Sequence, residues 1–135
     1  MTTIAYDGIS IAADSMGICD SVIVALNDTK LHVTAKGILG CAGEAATVPT
    51  LIQWIETGKK EGAYSGTGIL VDGRRALLFE GLTKGQKIKA PYAIGTGASF
   101  AFAAMYAGAS AVEAVKIACR LDPTSGGRIV SKQVK

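Results

Sequence analysis

The stretch Met1-Thr-Thr-Ile-Ala-Tyr-Asp-Gly-Ile-Ser-Ile-Ala-Ala-Asp14 decides the fold. Two alternating apolar runs, residues 2–6 and 9–14, flank Asp7-Gly8. Asp-Gly between such runs predicts a two-residue type I′ turn, in which both central residues take positive φ. In that register Tyr6 faces Ile9, Ile4 faces Ile11, Thr3 faces Ala12 and Thr2 faces Ala13, one step from Asp14. The expected hairpin therefore holds a hydroxyl at the head of the chain beside a carboxylate. An ordinary edge hairpin that ends in threonine accounts for the same residues.

Working outward, β-type runs follow at 21–26, 31–34 and 37–42, with Asn27-Asp28 and Lys36-Gly37 as turns between them. Val48, Leu51, Ile52 and Ile55 fall at helical spacing, so the pattern predicts a helix over 47–57 with Thr47 as N-cap and Gly58 as its stop. Pro49 fits the first turn, which has no amide partner to lose. Strands are expected at 67–71 and 75–80, around Asp72-Gly73, and at 92–95. A helix over 99–107 is apolar on nearly every side (Phe100, Phe102, Met105, Tyr106), which predicts burial on several faces. Ser110 and Glu113 form a capping box that opens a further helix with Val112, Val115, Ala118 and Cys119 on one face, stopping at Asp122-Pro123. A last strand is expected at 128–134. Strands, helix, strands, two helices, strand is the order of an α+β domain, with antiparallel sheet layered against helices. Residues 1–135 read as a single domain without repeat or linker.

Composition narrows the function. The chain of 135 residues is 49% hydrophobic and only 19% charged, a balance that suits self-association. A net charge of +3, basic pairs no longer than Lys59-Lys60 and Arg74-Arg75, and 6% aromatic residues give no support to nucleic-acid binding. No apolar run reaches bilayer length, and no basic leader with an apolar segment opens the chain, so neither membrane partner nor signal peptide is expected. Cys19, Cys41 and Cys119 are odd in number, widely spaced and without zinc-ligand spacing, which fits a reducing, cytoplasmic setting. His32, the only histidine, lies in the alternating Leu-His-Val-Thr segment and reads as a strand surface residue. No metal site and no cofactor are expected.

Several polar residues stand where local pattern does not need them. Asp14 ends an apolar strand, where a carboxylate requires a partner, and Lys30 can supply one. Gly43 lies between a strand and a helix, where an amide can face a developing anion. Gly95-Thr96-Gly97 and Asp122-Pro-Thr-Ser125-Gly-Gly127 embed hydroxyls in turns. Taken singly, each has an ordinary explanation: a surface lysine, a strand-to-helix turn, a loop.

Together, and in this order, Thr2-Thr3-Ile4, Ile-Ala-Ala-Asp14, Lys30-Leu, Cys-Ala-Gly43, Ile-Gly-Thr96-Gly and Asp122-x-x-Ser125-Gly-Gly resemble the proteasome β-subunit and HslV peptidase family of N-terminal-nucleophile hydrolases. The resemblance runs from one end of the chain to the other. It implies a four-layer αββα sandwich and a threonine peptidase acting on peptides or unfolded protein, within a homo-oligomeric ring. After removal of Met1, it makes Thr2 the nucleophile and its α-amine the general base. Lys30 would stabilise the deprotonated hydroxyl, Asp14 would hold Lys30, and the Gly43 amide would form the oxyanion hole. Thr96, where the family more often has serine, would join Asp122 and Ser125 around the amine. Ile18, Asp28, Cys41 and Ala45 would line the substrate cleft, with Asp28 favouring a basic side chain before the scissile bond.

The sequence departs from the family in three places. The opening hairpin is four residues shorter than the family's. The second of two helices after Gly43 is missing, which reduces the first helical layer and leaves double-ring assembly and an ATPase partner open. Only Met1 precedes Thr2. A retained Met1 turns the base into an amide, and the alternative is then a catalytically silent, proteasome-like assembly protein. A nucleophilic Cys19 or Cys41 would lack a base.

Overall fold

The computed structural model describes residues 1–73 and 75–134. Arg74, half of one basic pair, lies outside them. Strands β1 (Ile4–Tyr6) and β2 (Ser10–Ala13) form the opening hairpin, and β3 (Gly17–Cys19) and β4 (Val22–Ala25) form a separate two-stranded arm. Next come β5 (Leu31–Thr34), β6 (Gly37–Gly43) and helix α1 (Val48–Thr57), then β7 (Gly66–Asp72), β8 (Arg75–Glu80) and β9 (Gln86–Lys87). After β10 (Tyr92–Ile94), helices α2 (Ala98–Tyr106) and α3 (Ala111–Leu121) lead to β11 (Val130–Gln133). Two antiparallel sheets result, ordered β10-β1-β2-β11 and β5-β6-β7-β8-β9.

Side-chain alternation builds the layers. From β1 and β2, Ile4, Tyr6, Ile11 and Ala13 point to the second sheet and meet Ile69, Val71 and Leu78 between the sheets. The intervening Ala5 and Ala12 point the other way, onto Ala101, Ala104, Ala114 and Val115 of α2 and α3. Small residues on both sides of that contact let helix and sheet approach closely. On the far face, Leu39, Cys41, Leu70 and Phe79 pack against Val48 and Leu51 of α1. The order is helices, sheet, sheet, helix: the expected αββα sandwich, with one short helix as its first helical layer.

The hairpin register differs from the expected one by two residues. Tyr6 pairs with Ile11, Ala5 with Ala12 and Ile4 with Ala13. Gly8 alone takes positive φ (95°), and Ile9 follows it in the turn. Asp7 is the cause. Its Oδ1 accepts from the amides of Ile9 (2.8 Å) and Ser10 (2.7 Å), closing the turn by side chain instead of occupying its centre. A shift of two preserves which face each residue serves. It places Thr3, not Thr2, level with Asp14, whose amide donates to the Thr3 carbonyl at 3.1 Å.

Three smaller expectations are also corrected. Thr47 is the N-cap residue of α1 as expected, but its hydroxyl donates back to the Glu44 carbonyl (2.8 Å) and makes no side-chain cap bond to the helix. Helix α2 buries Ala101, Ala104 and Met105 while Tyr106 stays 75% exposed, so it is covered on one side within this chain. His32 is half-buried rather than a surface residue.

Candidate active site

Thr2 sits just ahead of β1, a central strand held by β10 on one side and β2 on the other. The turn after β10 meets it. Gly97 donates its amide to the Thr2 carbonyl at 3.2 Å, and a Cβ on Gly95 (φ 99°) would lie 2.7 Å from the Thr2 carbonyl carbon. Gly-Thr-Gly is thus the residue pattern that lets Thr96 reach the head of the chain. Thr96 Oγ1 accepts from the Thr2 nitrogen at 3.1 Å and donates to Asp122 Oδ2 at 2.6 Å. The Met1 amine also donates to Thr96 Oγ1.

Asp122 collects hydroxyls. Ser125 Oγ donates to its Oδ2 (2.7 Å), and Thr124 donates to its Oδ1 through both hydroxyl (2.7 Å) and amide (2.9 Å). Burial works to raise the carboxyl's pKa, but the hydrogen bonds from Thr96, Ser125 and Thr124 outweigh it and hold Asp122 well below the usual carboxylate range. Ser125 Oγ lies 2.8 Å from Thr3 Oγ1, so Ser125 reaches the chain head through Thr3.

On the other side, Lys30 and Asp14 form a buried ion pair at 2.9 Å. Asp14 Oδ1 also accepts from the Thr3 amide (2.9 Å) and Oδ2 from the Gly126 amide (3.0 Å), so both oxygens are satisfied. Lys30 Nζ is fixed by the Met16 carbonyl at 2.7 Å and reaches the Met1 carbonyl at 3.1 Å. Thr2 Oγ1 donates to that same carbonyl at 2.6 Å, so one oxygen takes both the hydroxyl and the ammonium.

These groups open onto one cleft of about 750 Å³. Thr2, Lys30, Gly43 and Thr96 line it, as do Ile18, Asp28, Cys41 and Ala45. Asp14, Asp122 and Ser125 lie behind as buried partners. Gly43 pairs with Gly66 across β6 and β7, and a Cβ on it would fall 2.7 Å from the Tyr64 hydroxyl. Close strand approach therefore requires glycine there by itself.

Burial, largest among its causes, lowers the Met1 amine from its ordinary value; Asp122 opposes the shift and Lys30 adds to it. Burial pushes the Cys41 thiol up to about 12, which leaves no thiolate for chemistry. Among the described residues no group of three His, Cys, Asp or Glu side chains is placed to hold a metal.

Sequence reasoning missed Thr3, Thr124 and His32. Thr124 was detectable, since an aspartate in a turn commonly accepts from the backbone amide two residues on. Thr3 needed the true hairpin register, and His32 needed the cleft.

No protein-family model matches the chain, and no curated protein matches its sequence. Solved structures do. Eukaryotic HslV from Trypanosoma brucei superposes with a TM-score of 0.76 at 18% identity, over 100% of this chain and 99% of that one. Thiobacillus denitrificans BPH in complex with epoxomicin superposes with a TM-score of 0.74 at 19% identity, over 99% and 97%. BPH alone gives 0.73 at 17% identity, over the same shares. The chain thus shares the αββα sandwich of the proteasome and HslV type with these structures.

Proposed function

We propose that this protein is a threonine-type peptidase that hydrolyses amide bonds with Thr2 once Met1 has been removed. One observation carries the reading. The Thr2 nitrogen lies on a hydroxyl that leans on a carboxylate, while Lys30 and the Thr2 hydroxyl converge on one carbonyl oxygen at the mouth of the cleft. In the reaction the neutral α-amine takes the Thr2 hydroxyl proton and the oxygen attacks the substrate carbonyl. Lys30 favours the alkoxide, and the Gly43 amide faces the tetrahedral anion, where loss of such a donor typically costs about 10²–10³ in rate. On collapse the protonated α-amine returns its proton to the departing nitrogen, which leaves as the amine product, and water then hydrolyses the ester left on Thr2.

The substrate is a peptide or unfolded protein, and the protein works as a homo-oligomeric ring in the cytoplasm. Support for the ring comes from the low charge and from the fold shared with HslV.

Intact mass comes first, followed by hydrolysis of a fluorogenic peptide-amide panel. Loss of one methionine together with turnover that vanishes in Thr2→Ala is the expected result. A Met1-free protein whose Thr2→Ala variant keeps full turnover would overturn the mechanism. With the amine as base, kcat/KM should rise with pH as an N-terminal amine, whose reference pKa is about 7.7–8.0, loses its proton. A rate independent of pH from 6 to 9 (roughly the span around that value) would contradict it.

The alternative is a silent assembly protein. The carbonyl of a retained Met1 occupies both Thr2 Oγ1 and Lys30 Nζ, leaving neither free for substrate.

A further inference from the structure

Tyr64 is a buried phenol that the proposed chemistry does not use. It stands in the short link between α1 and β7 and packs with Leu39, Cys41, Val48 and Leu51. Its hydroxyl donates to the Thr67 carbonyl at 2.9 Å. Burial pushes its pKa up, so the phenol keeps the proton that it donates. The same hydroxyl covers Gly43, since it is the atom that a Cβ on that glycine would meet at 2.7 Å.

The ladder around Gly43 says what this hydroxyl holds. The Glu44 amide donates to the Ser65 carbonyl at 3.1 Å, so the hydrogen-bonded rungs of the antiparallel pair are Glu44 with Ser65 and Ala42 with Thr67. Gly43 and Gly66 lie between those rungs, and the Gly66 carbonyl turns away to accept from the Gly81 amide at 2.9 Å. The Gly43 amide therefore points off β7, to the side on which the Cys41 amide donates to the Lys30 carbonyl at 3.0 Å. Strand β5 pairs with β6 only as far as Leu31 and Gly40, so it does not reach Gly43. Among the described residues this amide has no acceptor, and Gly43 lies on the wall of the cleft.

Tyr64 acts at the next rung. Its hydroxyl is a second donor on the Thr67 carbonyl, which faces Ala42. A trans peptide sets the Gly43 N–H opposite the Ala42 carbonyl, so whatever fixes the Ala42–Thr67 rung aims that N–H. Gly43 and Gly66 have no side chains with which to fix it themselves.

We propose that Tyr64 is the positioning residue for the Gly43 amide: its hydroxyl fixes the rung behind Gly43 and so aims that N–H into the cleft. The inference rests on the peptidase reading for the use of the amide, which is to hold the tetrahedral anion. Tyr64 is not among the residues that line the cleft, and it acts only through the main chain.

Tyr64→Phe removes the hydroxyl and keeps the ring, and two readouts decide the matter. Against a fluorogenic peptide amide, kcat is expected to fall about tenfold with KM unchanged, short of the roughly 10²–10³ that loss of such a donor costs. The second readout needs no turnover. The sequence holds two Ala-Gly pairs, Ala42-Gly43 and Ala107-Gly108, so ¹³C-alanine and ¹⁵N-glycine labelling of the full chain isolates two amides. In a weakly aligned sample the N–H dipolar coupling of Gly43 is expected to change in Tyr64→Phe, while that of Gly108 keeps its wild-type value. An unchanged Gly43 coupling overturns the proposal, whatever the turnover. An unchanged kcat overturns it too, as does a loss confined to KM. A lower urea midpoint with kcat and the Gly43 coupling both preserved makes Tyr64 a packing residue and overturns it as well. If the wild type turns nothing over, the peptidase reading falls, and the Gly43 coupling alone decides whether Tyr64 aims this amide.

Discussion

At the scale of single residues, the site depends on two carboxylates held in different ways. Asp14 is balanced by one ammonium and three main-chain amides, so removing Lys30 leaves a buried charge only partly compensated. Lys30→Met is expected to destabilise the fold by about 3 kcal/mol in urea unfolding, and Asp14→Asn on the same background to recover part of it. Asp122 has no cation among its hydrogen-bond donors and relies on hydroxyls and an amide. Its folded pKa is depressed, so its contribution to stability is present above the unfolded carboxylate value of about 3.9 and is lost as pH falls through the lower folded value. The urea midpoints of the wild type and Asp122→Asn should therefore converge below about pH 4; a gap that stays constant to pH 2.5 (roughly 1.4 units below that reference) would assign the loss to packing. Both carboxylates were legible in the sequence, because an aspartate at the end of an apolar strand or inside a hydroxyl-rich turn needs partners. His32 was not legible, since alternation says which face a residue serves but not whether a cavity lies there.

Among the elements, Asp7 ties two together. One carboxylate oxygen closes the β1–β2 turn, and the other accepts from the Ala111 amide at the start of α3 at 2.8 Å. Burial pulls its pKa up, but the amides of Ser10, Ala111 and Ile9 prevail and lower it. Asp7→Ala should cost about 2 kcal/mol in chemical denaturation, more than the roughly 1 kcal/mol of an ordinary helix cap, because two elements lose an anchor. Ser110→Ala provides that ordinary reference, since Ser110 caps α3 with a 3.2 Å bond to the Glu113 amide and has Glu113 returning the bond at 2.9 Å. The capping box and the stop at Asp122 were readable from spacing alone. The hairpin register was not: Asp-Gly carries two turn geometries, and the choice fell to a side chain bonding outside the hairpin. The short strands β3 and β9 were missed because two or three residues are too few to show a period.

For the whole molecule, apolar surface is the open quantity. Val22, Val24 and Ile23 on the β3–β4 arm are each more than half exposed, as are Tyr106 and Leu121 on the opposite helical layer. Large apolar side chains exposed in such number suit an interface between copies of the chain. Light scattering behind size exclusion should therefore give a multiple of the 13.8 kDa chain mass, and Val24→Glu should reduce it; a wild-type monomer at micromolar concentration would remove the ring from the reading. The layer order was legible because the alternation in β1 and β2 separates large residues from small ones, whereas assembly depends on surfaces that a single chain leaves uncovered. The two central strands also carry a consequence for biosynthesis. β1 is completed by β10, β2 by β11, and the chain head meets Thr96 and Asp122 from far along the sequence. A nascent chain still short of residue 125 can display its threonine but cannot surround it. On the proposed chemistry the newborn polypeptide would thus be quiet while it emerges from the ribosome, and reactivity would wait for the last strand.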